Sequence, residues 1–298
     1  MLKKVFKLAG IFVLVGLILG IVGVVALGKD RILTIVHDMS NDSEYVAESY
    51  ESNTGPAKLD LQFVNRNIVI IRDDVINIEI SYYQSEKDQI ECREENGTLI
   101  VTNDVRWQFF TFFNYVSSEK RIVEVTIPNM VEYDIKIMTT NGNIVLEDLD
   151  TLQTVDVATT NGTIKLMNTD VTGNVELRAS NGTIQVTKVQ ASQLLADTIN
   201  GEVIIREVIS AAIDAESTNG SLDVSLVTCD DIDLNTSNGV IDVEIVGTFE
   251  DYKIVLHTVN GKIRYDDLTL SSGTIHPDAS KVLSAQTVNG GINFSFTE

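Results

Sequence analysis

The sequence has few of the residues that build catalytic or metal centres. Only two cysteines occur in 298 residues, Cys92 and Cys229, and neither has a nearby cysteine or histidine at a metal-binding spacing. Two distant cysteines form no disulfide framework, so we expect both thiols to be unpaired. The histidines His37, His257 and His276 form no HExxH pattern, and GxSxG, P-loop and GxGxxG motifs are absent. We therefore expect no cofactor and no metal, and no enzyme of the common hydrolase or nucleotide-binding classes.

Positive charge is also scarce. The chain has 22 Lys and Arg against 43 Asp and Glu, for a formal net charge of −21. Residues 1–31 hold five of the basic residues and a single acid, so the rest is more acidic than the total suggests. Such a surface repels polyanions, which argues against nucleic acid as a partner. The nonapeptide calcium motif of solenoid proteins is absent as well.

A long uncharged run is present near the beginning, at residues 8–27. About twenty apolar residues in a helix span the hydrocarbon layer of a membrane, and three lysines precede this run. The positive-inside tendency then predicts a single-pass anchor in the cell membrane, with the N-terminus cytoplasmic and the bulk extracellular. A cleaved signal peptide is the alternative, because residues 24–26 resemble a cleavage site. The run is longer than a signal-peptide core, which favours the anchor, and both alternatives export the remainder.

We divide the chain into four parts. Residues 1–31 are a cytoplasmic tip and anchor, and the polar, acidic residues 32–58 are a flexible stalk. Residues 59–130 show alternating apolar residues and are predicted to be an N-terminal β region and cap. Residues 131–298 are predicted to be a β-repeat domain.

The cap region contains an aromatic segment at 106–118. Its aromatic side chains fall within nine residues and are Trp107, Phe109, Phe110, Phe112, Phe113 and Tyr115. One interpretation is a hydrophobic plug over the end of the repeat domain. The other is an exposed loop that contacts the membrane surface or a partner, since aromatic residues favour both locations.

Asn-Gly recurs eight times in the repeat domain, at spacings of 19 or 20 residues followed by longer ones near the end. We interpret these pairs as structural corners, since repeats at a fixed period indicate stacked units. The pairs are Asn141 and Gly142, Asn161 and Gly162, Asn181 and Gly182, Asn200 and Gly201, Asn219 and Gly220, Asn238 and Gly239, Asn260 and Gly261, and Asn289 and Gly290.

The residues around each pair alternate. The positions six and four before the asparagine, and three and five after it, are apolar or aromatic in every unit. A period of two indicates strands, and the odd step across Asn-Gly requires a turn. We expect a positive φ at glycines such as Gly182, Gly201 and Gly220, because glycine adopts it without steric cost.

Two architectures fit this pattern. Asn-Gly is a common hairpin turn, so an antiparallel β-hairpin repeat is one. The other is a parallel β-solenoid with 19–20 residues per coil. A nearly constant coil length and an identical residue at each corner favour the all-β solenoid, because stacked asparagines would bond along the edge and partly shield one another from water.

The stretch 123–149, VEVTIPNMVEYDIKIMTTNGNIVLEDL, has a strand ending in Ile-Pro, a polar link and an iterated T-[TS]-N-G-x-I-x-L unit. It resembles the bacterial, membrane-anchored putative-adhesin family of unknown function over about residues 59–298. The resemblance implies a right-handed β-helix like that of adhesin-head domains, and an association of some members with cell-envelope stress. It implies no catalytic residues.

Acidic clusters are the remaining candidates for chemistry. They are Asp230, Asp231 and Asp233, Glu147 with Asp148, and Asp266 with Asp267. We interpret them as a solvated acidic surface, because a glycosidase needs two carboxyls paired across a cleft. Calcium sites and catalysis are the alternatives.

We therefore expect a non-catalytic binding or scaffolding module of the bacterial cell envelope, held to the membrane by its N-terminal helix. The partner would be an envelope protein, a cell-wall polymer or a peptide, and stacking of solenoid ends would give a homo-oligomer. A polysaccharide hydrolase or lyase on a β-helix is the alternative function.

Overall fold

The structure is a computed structural model that describes residues 44–105, 116–129, 131–266 and 268–297. The predicted anchor at 1–31, residues 32–43 of the predicted stalk, the aromatic residues of the cap segment and Asp267 lie outside these ranges. The described chain is all-β, with short 3₁₀ helices at Glu119–Arg121 and Phe249–Asp251. Among the described residues, no helix has the length and apolar character needed to cross a bilayer.

The strands are numbered in chain order. The first eleven are β1 Val46–Glu51, β2 Lys58–Phe63, β3 Asn67–Asp73, β4 Glu79–Gln84, β5 Asp88–Glu95, β6 Thr98–Val105, β7 Ile122–Pro128, β8 Tyr133–Asn141, β9 Ile144–Glu147, β10 Leu152–Asn161 and β11 Ile164–Asp170. The others are β12 Asn174–Asn181, β13 Ile184–Asn200, β14 Val203–Ser217, β15 Leu222–Thr236, β16 Ile241–Val246, β17 Tyr252–Thr258, β18 Ile263–Tyr265, β19 Leu268–Leu270, β20 Gly273–Ile275, β21 Lys281–Thr287 and β22 Ile292–Thr297.

Consecutive coils of the repeat lie on one another in parallel register. Val155 of β10 lies opposite Ile135 of β8 on one side and Val175 of β12 on the other. Corner asparagines align in the same way, so equivalent positions of the repeat stack. Parallel pairing between coils shows a solenoid-like β-sheet that wraps around itself, and the alternative of an antiparallel hairpin repeat is wrong.

The coil has two long sides, which both run through ten layers. On the first side the stacking order is β6, β2, β8, β10, β12, β13, β14, β15, β21 and β17. On the second side it is β7, β3, β9, β11, β13, β14, β15, β16, β22 and β18. Strands β13, β14 and β15 are long enough to turn a corner and so belong to both sides. At about 4.8 Å per layer, ten layers extend about 43 Å.

The core lies inside the coil, where the predicted apolar columns meet. All these columns are buried apart from Tyr265, which is partly buried. A short third side adds two further buried positions, eight and ten residues after the asparagine, as at Val189 and Ala191. Each inward side chain therefore packs on its equivalents above and below, which is how a repeat array builds one continuous core.

The N-terminal region contains a coil that has no Asn-Gly pair at its corner. Strands β2 and β3 stack directly on β8 and β9 and are joined by a corner containing Asn65 and Arg66. The solenoid therefore begins within the predicted cap region 59–130, and its boundary at residue 131 is wrong. The layer beneath consists of β6 and β7, which pair in parallel with β2 and β3.

Arg66 takes the place of a corner glycine and is fully buried. Its guanidinium donates to Asp88 Oδ2 at 2.7 Å and to the Lys120 carbonyl oxygen at 3.0 Å. Asp88 also accepts hydrogen bonds from Tyr45 and Asn103. This network ties the first coil to the strands beneath it.

The predicted flexible stalk is partly wrong. Residues 46–51 of the range 32–58 form β1, which pairs antiparallel with β4 from Val46 opposite Gln84 to Glu51 opposite Glu79. Most side chains of this strand face solvent, so its sequence is polar and acidic and shows no alternation of apolar residues. The strand was therefore not predicted.

The C-terminal coils are stacked out of sequence order. The final coil, β21 and β22, lies between β15 and β16 below and β17 and β18 above. Short strands β19 and β20 then pair antiparallel with β18 and β17. At the other end, β5 and β4 pair antiparallel with β6 and β7. Antiparallel strands at both ends hinder the addition of another parallel coil, and the expected end-to-end oligomer stays a prediction.

Candidate functional site

The corner asparagines form one continuous ladder of side-chain hydrogen bonds. Each Nδ2 donates to the Oδ1 of the asparagine in the neighbouring layer, as Asn181 does to Asn161 and Asn200 does to Asn181, both at 2.9 Å. The ladder begins at Asn65 and ends at Asn260, and its bonds are 2.6–2.9 Å long. The asparagines are exposed along this edge, so the expected shielding from water is not found.

The corner glycines serve a different purpose from the expected one. None of them has a positive φ, so the prediction for Gly182, Gly201 and Gly220 is wrong. A Cβ added at Gly201 would instead overlap the carbonyl oxygen of Gly182 in the preceding layer. Glycine is needed because the backbones of consecutive corners approach too closely for any side chain.

A second ladder lies two residues before each asparagine, and our sequence analysis missed it. The buried hydroxyl at this position donates to the carbonyl oxygen of the preceding corner glycine, as Thr159 does to Gly142 at 3.1 Å and Ser217 does to Gly201 at 3.0 Å. The signal was a threonine or serine at this position in every unit except that of Ala179. Each buried hydroxyl thus finds a partner, which a buried polar group needs.

A groove of about 790 Å³ runs along the outer face of the first long side, beside the asparagine ladder. Because the strands alternate, residues one and three before each asparagine point outward and form its floor. The outward residues are Met138, Thr140, Ala158, Thr160, Arg178, Ser180, Asp197, Ile199, Glu216 and Thr218. The position one before the asparagine carries a hydroxyl in four of these five layers, whereas the position three before it varies from layer to layer.

The charge of this face changes along the axis. Arg178 pairs with Glu176 and lies 3.5 Å from Asp156. In the layers beyond, partial burial and then neighbouring carboxylates raise the pKa values of Asp197 and Asp214. Beyond Arg178, Asp197 and Glu216 line the groove and Asp214 lies in the neighbouring concavity, so this end of the groove attracts cations and repels anions.

The predicted acidic clusters lie on the surface. Asp231 and Asp233 line a neighbouring concavity of about 620 Å³ together with Asp214, while Asp230 pairs with Lys281 at 3.3 Å. Glu147 and Asp148 are exposed, and Asp266 lies far along the chain from both groups. Within the described ranges, no group of three or more His, Cys, Asp or Glu is arranged to hold a metal ion.

The histidines and cysteines are not brought together. His257 lies on β17, and His276 Nδ1 is 3.1 Å from the carbonyl oxygen of Phe249. Cys92 is partly buried on β5 and Cys229 is buried on β15, and neither is disulfide-bonded. Burial raises the pKa of each thiol to about 11, so neither is a ready nucleophile near neutral pH.

An aromatic cluster covers the C-terminal end of the stack, and the sequence analysis missed it too. Phe249 stacks on Tyr265 with ring centroids 4.6 Å apart, and Tyr265 stacks on Phe294 at 4.9 Å. Phe296 and His276 complete the cluster. The residues are distant in sequence, and Tyr265 meets Phe294 because the two hold the same position in the last two stacked coils. The predicted contact segment at 107–115 lies outside the described residues.

Comparison with known proteins supports this description of the fold. A family model described as Toastrack DUF4097 matches residues 57–295. No curated protein matches the chain significantly.

Several solved bacterial structures have a similar fold. The chain is similar to a putative adhesin from Parabacteroides distasonis, with 11% identity, 87% of this chain and 99% of that chain covered, and a TM-score of 0.56. A putative adhesin from Parabacteroides merdae has 11% identity, coverages of 87% and 98%, and a TM-score of 0.55. A putative lipid binding protein from Parabacteroides distasonis has 12% identity, coverages of 87% and 99%, and a TM-score of 0.53. At these identities the likeness shows the fold alone.

Proposed function

The chain belongs to the Toastrack DUF4097 family, and we propose from this premise that it is a non-catalytic binding module of the bacterial cell envelope. Its ligand occupies the groove beside the asparagine ladder. The N-terminal apolar run anchors it in the membrane, and the solenoid stands outside the cell.

The groove is the observation that carries this proposal. Its floor is built from outward residues of consecutive layers, such as Thr140, Thr160 and Thr218, and each layer is fixed by parallel strand pairing and two side-chain ladders. A rigid floor loses little conformational freedom when a ligand binds, which favours recognition of an extended molecule. The names of the similar structures, putative adhesin and putative lipid binding protein, are compatible with a binding role.

The acidic residues give the alternative of a polysaccharide hydrolase or lyase no support. Asp230 is paired with Lys281, and Asp231 and Asp233 lie among further acids without a base beside them. Wall polymer incubated with the chain should therefore release no reducing ends or unsaturated products. Release that Asp231→Ala abolishes would overturn the non-catalytic proposal.

A binding assay tests the groove directly. The full chain in lipid nanodiscs is mixed with purified wall fragments or with vesicles of zwitterionic phospholipid, and co-sedimentation is measured. Thr160→Arg places a long charged side chain in the groove, whereas Gln190→Arg places the same side chain on the exposed third side. We expect Thr160→Arg to weaken binding about tenfold or more, as a substitution at the centre of an interface does.

The result for Gln190→Arg separates the groove from the rest of the surface. This control should bind like the unaltered chain. Equal binding by all three proteins, or no binding to any envelope component, would contradict the proposal.

A labelling experiment tests the proposed location. Gln190→Cys places an exposed thiol on the solenoid, and Lys4→Cys places one before the apolar run. Intact cells are treated with a membrane-impermeant maleimide. The native thiols give little background, because Cys92 and Cys229 are shielded and their pKa values are raised to about 11. We expect label on the solenoid cysteine alone, and label on neither or only on Lys4→Cys would place the solenoid inside.

A further inference from the structure

Asn-Gly is the pair of residues in a protein chain that is most prone to spontaneous deamidation. The glycine nitrogen, unhindered by a Cβ, can attack the side-chain carbonyl carbon of the asparagine before it. The sequence holds nine such pairs, of which eight are the ladder corners. The ninth, Asn96 and Gly97, connects β5 to β6.

The ladder holds the reacting atoms of its own pairs apart. Nδ2 of Asn161 donates to Oδ1 of Asn141 at 2.7 Å, and Oδ1 of Asn161 accepts from Nδ2 of Asn181 at 2.9 Å. The N–H of Gly162 donates to the carbonyl oxygen of Asn181 at 3.1 Å. The asparagine side chain, held on both sides, cannot swing toward the glycine nitrogen unless the corner first opens locally. At the corners of Gly142, Gly162 and Gly182 that nitrogen is itself engaged in a hydrogen bond.

Asn96 and Gly97 have none of these restraints. They form a two-residue hairpin turn with φ values of 51° and 75°, and both are exposed. In the part of the chain that the structure describes, no hydrogen bond is formed by the Asn96 side chain or by the Gly97 N–H. Nothing lies within 4 Å of the position that a Cβ of Gly97 would occupy, so the turn has space to change shape.

We propose that Asn96 is the site at which this chain undergoes spontaneous deamidation, and that the ladder protects the other eight pairs. The Gly97 nitrogen loses its proton to base and bonds to Cγ of Asn96. The bond from Cγ to Nδ2 breaks, and Nδ2 takes up a proton and leaves as ammonia. Water then opens the cyclic imide to give aspartate or isoaspartate.

The product adds a negative charge to a turn that is already acidic. The new carboxylate lies next to Glu95 and one residue further from Glu94, whose carboxylate accepts hydrogen bonds from Tyr50, Asn53 and Thr54. Isoaspartate would also lengthen the backbone at the tip of the hairpin. Deamidation thus alters the local charge and the geometry of the N-terminal end without touching the core.

The ladder itself has one weaker position. Asn260 is the last member, so its Nδ2 donates to Asn289 at 2.9 Å, but no further asparagine bonds its Oδ1. It is therefore the second site to convert. Interior members such as Asn181, bonded on both sides, are the last.

A time course with site-resolved mass spectrometry tests this order. The full chain is kept folded at mildly alkaline pH, sampled over weeks and digested, and the fraction of acid at each of the nine asparagines is measured. We expect Asn96 to convert at least about tenfold faster than any interior ladder asparagine, because those react only after local opening. In denaturant the nine rates should become similar.

A variant shows whether the ladder bonds cause the protection. Asn181→Ala removes the acceptor for the Nδ2 of Asn200, so conversion of Asn200 should rise while that of Asn96 stays unchanged. If this variant does not fold, the time course of the unaltered chain decides. Conversion of an interior ladder asparagine as fast as Asn96, or an equal advantage of Asn96 in denaturant, would overturn the proposal.

Discussion

Two of the corners in the coils of the repeat differ in a revealing way. The first corner repeats Asn-Gly in almost every layer, yet its glycines have no unusual φ. The second corner, seven residues after the asparagine, is left-handed, with φ between 48° and 55°, but its residues vary. They are Asp148, Asn168, Lys188, Glu207 and Leu226. A residue is therefore repeated strictly where consecutive layers are in contact. Where only the backbone conformation is unusual, different residues occur at the equivalent positions.

The physical reason lies in what each corner touches. At the first corner, consecutive backbones approach so closely that a Cβ of Gly220 would overlap the Gly201 carbonyl oxygen. At the second corner the side chains face solvent, so a non-glycine residue costs only its left-handed strain, about 1–2 kcal/mol. A steric overlap within a stack cannot be relieved as cheaply, because the layers above and below fix its position.

The largest expected effect comes from a side chain at a stacked first corner. Gly201→Val should lower the free energy of unfolding by more than about 4 kcal/mol, because the new side chain forces two layers apart. Gly97→Val is the control, since it has a positive φ but open space, and should cost about 1–2 kcal/mol. Urea denaturation measures both, and a larger loss for Gly97→Val would reverse the comparison.

Arg66 occupies the glycine position of the Asn-Gly corner in the coil formed by β2 and β3. Arg66→Met should cost about 3 kcal/mol, because Asp88 is left without its buried cation. Arg206→Met removes the exposed partner of Asp223 and should cost at most about 1 kcal/mol. Thermal and chemical denaturation would show equal losses only if the buried pair contributes nothing beyond a surface pair.

The asparagine ladder should contribute less than the glycines, because its members are exposed to water. Asn200→Ala removes hydrogen bonds to Asn181 and from Asn219 and should cost about 1–2 kcal/mol. Asn174→Ala, exposed and outside the ladder, is the matched control. No difference between the two variants in urea denaturation would mean that the ladder contributes nothing to the free energy of unfolding.

The smallest effect concerns charge on the outer face. The pKa of Asp214 is raised by partial burial and then by Asp233 and other acids, so folding favours its protonated form. Stability from this group is present below the ordinary pKa of aspartate and is lost as the pH rises through the folded value. Asp214→Asn should therefore raise the melting temperature at neutral pH but not in acid. Asp170→Asn, on the third side, should change it at neither pH.

Much of the fold follows from the sequence because the repeat is regular. Alternation around each Asn-Gly pair predicts the strands and the buried columns, and the nearly constant coil length favours parallel stacking. The glycine requirement could not be read correctly, because the atom that excludes a side chain belongs to another coil. The first coil does not follow from the Asn-Gly repeat, because its corner has Arg66 in place of glycine.

The C-terminal order and the groove were beyond the sequence for a similar reason. Every coil carries the same apolar pattern, so the pattern cannot tell that β21 lies between β15 and β17. The groove has no motif of its own, because its floor is assembled from outward residues of separate layers. Columns such as Thr140 and Thr160 become visible only when the coils are aligned on their asparagines.

The most direct test of the comparison substitutes one residue at each of these two corners of a single coil. Gly220→Ala adds a Cβ where φ is ordinary but the preceding layer is in contact, and Leu226→Gly removes one where φ is 55° and the side chain is exposed. Urea denaturation should show a loss of at least about 3 kcal/mol for Gly220→Ala. Leu226→Gly should change stability by less than about 1 kcal/mol, because relief of strain and the greater freedom of the unfolded chain offset each other. A tolerated Gly220→Ala together with a large gain for Leu226→Gly would show that backbone conformation, and not contact between layers, determines which residues repeat.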